Sequence, residues 1–459
     1  GVQTRSDGAI QVSAQGNAAT RELRRLLDMP QLARLSGTLP WRGNLLVRRG
    51  AYELTLDSDL RGVAIDLPAP LGKAASEVMP LRIERTNASD AETLRRFGNA
   101  RLPARGDLTA LTIGRAPGQI NLLFPRQRDG QRWLMERLSI GLNEAPTWPL
   151  AAAGIQVNGT LPALDVNRWL GVMDDAPGAA NASTAAATAA ASAAASTAAA
   201  VTLPALSALN LRIGTLDVIG KRLHEVVLRA NAVAAPLASS AMNAAANPVA
   251  NSAAPFSAPS SWTAQLGARE VEGMLSWRPE GRGRVVARLK RLQIPDNTPP
   301  GEGAARPESQ RELPALDVVT EDLVLRNKKL GRLELQAVNQ GRDWRVEKPL
   351  LSKSDGQLQL DGIWQSWASK PSIVTNLKLE VSDSGQFLAR FGMADTIKGG
   401  SARIEGRLGW AGGPQVIDYP TLTGNVSLHA EKGQFLKADP GIAKLLGVLS
   451  LQSLITLDV

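Results

Sequence analysis

One short pattern, Gly-x-Leu-x-Trp, recurs along the chain and restricts it to a fold built from strands. Full copies lie at Gly37-Leu39-Trp41, Gly273-Leu275-Trp277 and Gly406-Leu408-Trp410. A shorter copy ends at Trp364, so four of the ten tryptophans close the same kind of segment. Because side chains alternate between the two faces of a sheet, each copy places Gly, Leu and Trp on one face. The pattern therefore predicts a sheet with one apolar face.

The same alternation fills most of the remaining sequence. It is clearest at residues 373–381, 402–410 and 422–430, where every second residue is apolar or small. Dipeptides typical of turns separate such segments: Asp129-Gly130, Asp355-Gly356, Ser384-Gly385 and Lys432-Gly433. We therefore predict a mostly β fold, a meander of antiparallel hairpins.

An internal repeat extends this prediction. Leu216, Lys221 and Leu228 recur as Leu323, Lys328 and Leu335, and both copies have the order strand, basic turn, strand. Repeats of this kind predict a stack in which each unit packs mainly on its neighbours. Short amphipathic helices are predicted at residues 20–28 and 441–451. Each helix either caps the sheet or, as the alternative, lies on a membrane surface.

Two segments interrupt the alternation, because they consist of Ala, Ser, Thr, Asn and Pro with almost no large apolar residue. The sequence is therefore divided into five parts. They are a β segment with a short N-terminal helix at 1–176, a flexible Ala/Ser/Thr-rich insertion at 177–201, a β repeat unit at 202–233, a flexible low-complexity insertion at 234–261, and a C-terminal β segment at 262–459.

Composition excludes several classes of function. The chain has no cysteine, and its only histidines are His224 and His429, so neither a thiolate metal site nor a histidine cluster is expected. We find no nucleophile elbow, phosphate-binding loop or zinc-protease motif, and we predict no enzyme, catalytic residue, metal or cofactor. The net charge of +9 is spread over single Lys and Arg residues, so no nucleic-acid partner is predicted.

Three segments resemble the YhdP family of AsmA-like proteins. They are Gly62 to Lys73, Leu161 to Leu170, and the closing stretch from Gly433 to Leu454. The likeness is to the C-terminal part of the family, and the two Ala-rich insertions depart from it. The resemblance implies a long sheet curled into a β-groove in the periplasm, carrying phospholipid between the inner and outer membranes. It also implies an inner-membrane anchor outside this chain, and partners among outer-membrane or periplasmic proteins.

An apolar face that serves as a groove would hold acyl chains and let them slide passively while the headgroup stays in water. The residues expected to line it are Leu358, Leu360, Leu377, Leu379, Ile404, Leu408, Val426 and Leu428. The alternative for each is a sealed core between two sheets. A rival function is a periplasmic scaffold, or an assembly factor for outer-membrane proteins, that offers its sheet edges to partner strands. Alternation identifies the apolar face but leaves open whether that face is covered.

Overall fold

The computed structural model describes residues 1–27, 33–129, 132–148, 153–174, 204–218, 220–233, 261–279, 281–294, 313–325, 327–340, 343–365, 371–391, 393–413 and 418–436. These residues are mostly strands, which confirms the predicted mostly β fold class. The chain divides into unit 1, Gly1–Ser260, and unit 2, Ser261–Val459. Residues 177–200 and 234–260 of the two insertions, and the helix predicted at 441–451, lie outside the described residues.

Unit 1 contains thirteen described strands and three helices. The strands are β1 (Val2–Thr4), β2 (Ile10–Ala19), β3 (Leu35–Arg48), β4 (Ala51–Ser58), β5 (Val63–Ile65), β6 (Leu81–Thr86), β7 (Gly106–Ile113), β8 (Ile120–Asp129), β9 (Arg132–Leu134), β10 (Arg137–Leu142), β11 (Gly154–Asp165), β12 (Leu206–Val218) and β13 (Lys221–Val233). The helices are α1 (Thr20–Leu27), α2 (Ala91–Arg96) and α3 (Val166–Asp174).

The helix predicted at the N-terminus is confirmed as α1. Its Leu23 packs against a buried cluster of Leu39, Leu60, Val63 and Ile65, so this end of the helix covers the sheet. Lys73 lies beneath the same cluster, and its Nζ donates to the backbone carbonyls of residues 60 and 63. The segment from Gly62 to Lys73 therefore closes the core at this end of unit 1.

Two of the segments that carry the family resemblance contact each other. Trp169, in α3, donates its indole N–H to the carbonyl oxygen of Ala69 at 3.2 Å. Nearby, Arg34 donates to the carbonyl of Val172 at 3.1 Å. The first contact joins α3 to the loop that follows β5, and the second joins it to the residue just before β3, although a hundred residues or more separate the partners in sequence.

Unit 2 contains ten described strands: β14 (Ser261–Gly267), β15 (Val271–Arg278), β16 (Arg284–Ile294), β17 (Ala315–Leu325), β18 (Lys328–Gln340), β19 (Asp343–Lys353), β20 (Gly356–Gln365), β21 (Ser372–Val381), β22 (Ile397–Ala411) and β23 (Thr423–Phe435). Helix α4 (Ser384–Arg390) follows β21, and a 3₁₀ turn (Tyr419–Thr421) precedes β23. Each strand of this unit pairs with its neighbour in sequence.

The pairing is largely antiparallel, as predicted, but three pairs are parallel. In unit 1 these are β10 with β11 and β11 with β12, and in unit 2 β16 with β17. A parallel pair needs a connection long enough to bring the chain back to the same end of the sheet. The connection from β11 to β12 contains α3 and the first Ala-rich insertion, and that from β16 to β17 contains residues 295–314. The sheet is therefore mixed, with crossovers where the sequence carries long connections.

The internal repeat is confirmed. Its first copy forms the antiparallel hairpin β12–β13, and its second copy forms β17–β18. In both copies the basic residue after the turn, Lys221 or Lys328, opens the second strand. Both hairpins also follow a parallel pair, so the structural repeat includes the strand that precedes the hairpin.

Two of the four predicted turns are wrong. Ser384 and Gly385 open α4 instead, because the Asp383 side chain accepts the backbone N–H of Gln386 at 3.0 Å and caps the helix. Lys432 and Gly433 lie inside β23, which continues to pair with β22 beyond them. Lys432 adopts a φ of 58° there, so the dipeptide marks an irregularity within the strand. Asp355-Gly356 does separate β19 from β20, and Gly130 lies outside the described residues.

Candidate functional site

The eight residues predicted to line a groove lie on four neighbouring strands of unit 2, β20 to β23. Register places Leu358 opposite Leu379, Leu379 opposite Ile404, and Ile404 opposite Leu428. Leu360 lies opposite Leu377, which lies opposite Gly406 and then Val426. Directly opposed residues share a face. The structure therefore brings the predicted residues together on one face, including Leu408, which lies two residues beyond Gly406.

None of these eight side chains is fully buried. Seven are half-buried, and Leu428 is 42% exposed. A side chain sealed between two packed layers loses nearly all of its contact with water. Across these four strands the described residues therefore leave the apolar face partly open.

The same face continues over the whole of unit 2, where sequence reasoning named only its last strands. Consecutive opposed residues form one line across all ten described strands of the unit, which we call the apolar row of unit 2. It consists of Leu266, Gly273, Leu289, Thr320, Leu333, Leu351, Leu358, Leu379, Ile404 and Leu428. Alternation within β16, β18 and β19 was the signal that could have found its earlier members.

Tryptophans close one end of this face. Trp344 and Trp364 lie opposite each other and are buried with Ala337 and Ile373, while Trp410 packs against them. The indole N–H of Trp364 donates to the carbonyl of residue 412 at 3.0 Å, and that of Trp344 donates to the carbonyl of residue 314 at 3.0 Å. These tryptophans therefore form a packed strand-end cluster beside the open part of the face.

Helix α4 lies at the opposite end of the same strands. Arg390, in the last turn of α4, pairs with Asp355 in the β19–β20 turn, and the Asp355 side chain is only 5% exposed. Burial lowers the pKa of the Arg390 guanidinium. The Phe387 ring stacks at a tilt on Phe391, with centroids 5.1 Å apart. The open part of the face thus lies between an aromatic cluster and a helix anchored by a buried ion pair.

The reverse face of β20 to β23 is polar. Glu380 accepts from Lys378 at 3.0 Å and pairs with Arg403 at 3.3 Å, and these contacts lower the pKa of its carboxyl group. Asn376 donates to the Asp361 carboxylate at 2.8 Å. All five side chains alternate with the apolar ones along their strands. The two faces of this sheet therefore differ sharply in chemistry.

Unit 1 carries a similar line across ten of its strands, which we call the apolar row of unit 1. It consists of Ala14, Gly43, Leu56, Ile83, Leu111, Leu122, Ile140, Val157, Leu209 and Ala230. Seven consecutive members, from Leu56 to Leu209, are half-buried. The line passes through both parallel pairs without leaving its face.

A polar group interrupts the apolar face of unit 1, and sequence reasoning missed it. We call it the Asp107 cluster: Tyr52, Arg85, Asp107, Thr109 and Arg126. Arg126 donates to both carboxylate oxygens of Asp107, at 2.9 and 2.7 Å, and the Tyr52 hydroxyl donates at 3.0 Å. Arg85 donates through Nε to the hydroxyl of Thr109 at 3.2 Å. The signal in the sequence was Arg85 itself, a charged residue on the same face of β6 as Leu81 and Ile83.

Burial shapes the electrostatics of this cluster. The Asp107 side chain is 2% exposed, and Arg126 lies over the Trp133 ring at 4.6 Å. Burial raises the pKa of the Tyr52 hydroxyl, and the nearby Asp107 charge raises it further. Burial lowers the pKa of the Arg85 guanidinium, and so does the neighbouring charge of Arg126. The cluster therefore concentrates two guanidinium groups around a single carboxylate.

The described residues contain no group of three or more His, Cys, Asp or Glu side chains placed to hold a metal ion. Among the described helices, none is both long enough and apolar enough to cross a membrane.

Comparisons with known proteins converge on one family. The family model described as YhdP protein matches residues 1–457. The intermembrane phospholipid transporter YhdP of Escherichia coli (strain K12) is 22% identical to the chain over 436 residues, which is 92% of this chain and 29% of that protein. The chain thus spans less than a third of the length of this relative. No solved structure matches it.

Proposed function

Because the chain belongs to the YhdP family, we propose that it carries phospholipid along the apolar face of its sheet. Acyl chains lie on the aliphatic side chains of that face, and the headgroup stays in water. One observation carries the proposal: the apolar row of unit 2 crosses ten strands, and its last half stays partly open. The role requires no covalent chemistry.

The dimensions of the row favour a path over a pocket. Strands lie about 4.8 Å apart, so ten of them extend the row by roughly 43 Å along the sheet. An acyl chain spans about half of a hydrocarbon core roughly 30 Å thick. One lipid therefore covers only part of the row and has equivalent positions on either side.

Passive movement follows from this continuity. Each methylene taken out of water stabilises the bound lipid by about 0.8 kcal/mol. Where one aliphatic side chain follows another, a lipid that moves by one strand exchanges one apolar contact for a similar one. Its free energy then changes little from step to step. We place this movement in the periplasm, between an inner-membrane attachment and the outer membrane.

The residues that we propose to contact acyl chains in unit 2 are the eight named from sequence: Leu358, Leu360, Leu377, Leu379, Ile404, Leu408, Val426 and Leu428. Their incomplete burial supports contact with a ligand. Phospholipid is the proposed partner because the relative of known function is named for transporting it.

A second function is favoured by one observation. Among the described strands, β23 pairs only with β22, and most of its residues are exposed. An exposed edge strand can pair with a strand of another protein. The alternative is therefore a scaffold or assembly factor that binds outer-membrane proteins through β23.

Photo-crosslinking separates the two functions. A photoreactive amino acid at position 377 or 404 faces the apolar row, while one at position 403 projects from the opposite face of the same strand as 404. We expect phospholipid to crosslink at 377 and 404 but not at 403, with the lipid identified by mass spectrometry after detergent-free purification. Lipid-free protein with no crosslink at 377 or 404 would reject the conduit and favour the scaffold.

A further inference from the structure

Arg85 has an unusual position on the apolar face of unit 1. It lies opposite Leu54 on one side and Thr109 on the other, and two residues along β6 from Ile83. Its side chain is half-buried. A cation next to aliphatic side chains has lost part of its hydration, so it needs a compensating partner.

The carboxylate of the Asp107 cluster, which interacts electrostatically with Arg85, is already paired with another arginine. Both oxygens of Asp107 accept from Arg126, and one of them also accepts from Tyr52. Within the described part of the chain, Arg85 forms no ion pair, and its one side-chain hydrogen bond uses Nε. Its two Nη atoms form no hydrogen bond with the described residues, and neither is fully buried, so both keep some contact with solvent.

The chemistry of this position selects the ligand. Guanidinium N–H groups pair well with the oxygens of a phosphate group. The second cation of the cluster, Arg126, adds to the positive field. On the other side of Arg85, the half-buried Leu56, Ile83 and Leu111 offer an apolar surface. A ligand that satisfies both surfaces carries a phosphate and a hydrocarbon chain.

We propose that Arg85 binds the phosphate of a phospholipid whose acyl chains lie on Leu56, Ile83 and Leu111. This inference rests on the proposed function and adds a fixed binding site for the headgroup beside the apolar row of unit 1. The Asp107 cluster positions this binding site: Thr109 orients Arg85, and Arg126 occupies Asp107 so that Asp107 does not pair with Arg85.

The test compares two lipids with the same acyl chains, of which only one carries a phosphate. Acyl-labelled phosphatidylglycerol and diacylglycerol with the same chains are titrated into the protein, and binding is followed by fluorescence. Arg85→Gln is expected to weaken phosphatidylglycerol binding about tenfold, the effect of losing a charged hydrogen bond, and to leave diacylglycerol binding unchanged. Arg82→Gln, on the opposite face of the same strand, is the matched control and should change neither affinity.

Further arms keep the outcomes separate. Inorganic phosphate at millimolar concentration should not displace the lipid; displacement as effective as that by the lipid itself would assign Arg85 to free phosphate. Arg85→Lys keeps the charge and should lose less affinity than Arg85→Gln. Equal losses for both lipids, or no loss for either, would overturn the headgroup site. Failure of the unmodified protein to bind either lipid would instead reject the proposed function.

Discussion

At the scale of single residues, glycine in the Gly-x-Leu-x-Trp pattern has a steric role. A Cβ at position 406 would lie 2.3 Å from the carbonyl oxygen of Asn425 on the neighbouring strand. Gly267 lies at the end of another strand of unit 2, and nothing lies within 4 Å of its Cβ position. The sequence shows that glycine recurs in the pattern, but only the structure shows which backbone approaches it.

We therefore expect Gly406→Ala to lower the free energy of unfolding by about 1–3 kcal/mol, because β22 and β23 must move apart. Gly267→Ala is the matched change and should alter stability by less than about 0.5 kcal/mol. Urea unfolding of both variants measures the difference. Equal effects at the two positions would show that the close approach at Gly406 does not limit stability.

Tyr52 gives the Asp107 cluster a spectroscopic readout. Its pKa lies above the ordinary value of 10.0 because of burial and the Asp107 charge. In a Tyr419→Phe variant, which leaves Tyr52 as the only tyrosine, the ultraviolet phenolate titration should have a midpoint above pH 10. Asp107→Asn should shift that midpoint downwards.

The same shift fixes the sign of a stability effect. The pKa of Tyr52 is raised in the native state. The stability that depends on its protonated hydroxyl is therefore fully present below the unfolded pKa near 10, and it is lost as the pH rises through the native pKa. Tyr52→Phe should remove this alkaline loss. An identical decline in the stability of wild type and Tyr52→Phe above pH 10 would contradict the assignment.

Sequence reasoning identified the shared face of the eight proposed lining residues correctly, because period-two alternation fixes the side of a sheet on which a residue lies. It missed Arg85 because alternation gives the face on which a residue lies but not the partners that surround it. In the segment Leu81-Arg82-Ile83-Glu84-Arg85-Thr86, the alternation identifies the face of Arg85, but a single arginine is ordinarily a solvent-facing residue. Its importance depends on Asp107 and Arg126, which belong to other strands.

At the scale of elements, α4 shows how a local signal was misinterpreted. Ser384-Gly385 is typical of a turn, yet Asp383 and Gln386 have the spacing of a helix cap. In the structure the Gln386 side chain donates back to Asp383 at 2.8 Å, so the pair holds the first turn of the helix. A seven-residue helix with such a cap gives little periodicity from which to predict it.

The buried pair that anchors α4 yields a prediction at the same scale. Asp355→Ala leaves the Arg390 guanidinium buried without its partner, so we expect a loss of about 3–5 kcal/mol of stability. Glu380→Ala breaks the solvent-screened contacts to Lys378 and Arg403 and should cost far less stability than Asp355→Ala. Thermal unfolding compares the two variants. Similar losses would mean that α4 does not depend on the buried pair.

At the same scale, the alternation of apolar residues could not predict which strands pair in parallel. Alternation shows where a strand runs and which face is apolar, but not which strand it pairs with. Long connections carry that information, since hairpins need only short ones. The Ala-rich segment at 177–201 was interpreted as an insertion alone, although it also lies on the connection between two parallel strands.

At the scale of the whole molecule, the notable property of each unit is register. A slip of one residue would move every apolar side chain of a strand to the opposite face. In unit 2 the apolar row continues through register shifts in the pairs β15–β16, β17–β18 and β19–β20. Bulges that shift the pairing without reversing the face suggest that the continuity of the row matters more than regular hydrogen bonding.

A continuous path has a consequence that separate binding sites do not share. On the partly open part of the row, from Leu333 to Leu428, a single charge should block passage, because a lipid on the proposed path crosses each of these strands in turn. We expect Leu333→Glu and Leu379→Glu each to reduce transfer of labelled phospholipid between donor and acceptor vesicles at least about tenfold, since a carboxylate opposes burial of an acyl chain. Arg407→Glu, which places the same charge on the opposite face of β22, should leave transfer within about twofold of wild type.

The double variant is decisive. If both changes obstruct one path, Leu333→Glu combined with Leu379→Glu should transfer nearly as much lipid as the more impaired single variant, because the effects of two obstacles in series add and do not multiply. Independent sites would instead lose affinity multiplicatively. Unfolding measurements on each variant complete the comparison, since an open face keeps the new charge hydrated whereas a sealed core would lose its fold. Multiplicative losses, or unfolded single variants, would exclude a continuous open path along the apolar row of unit 2.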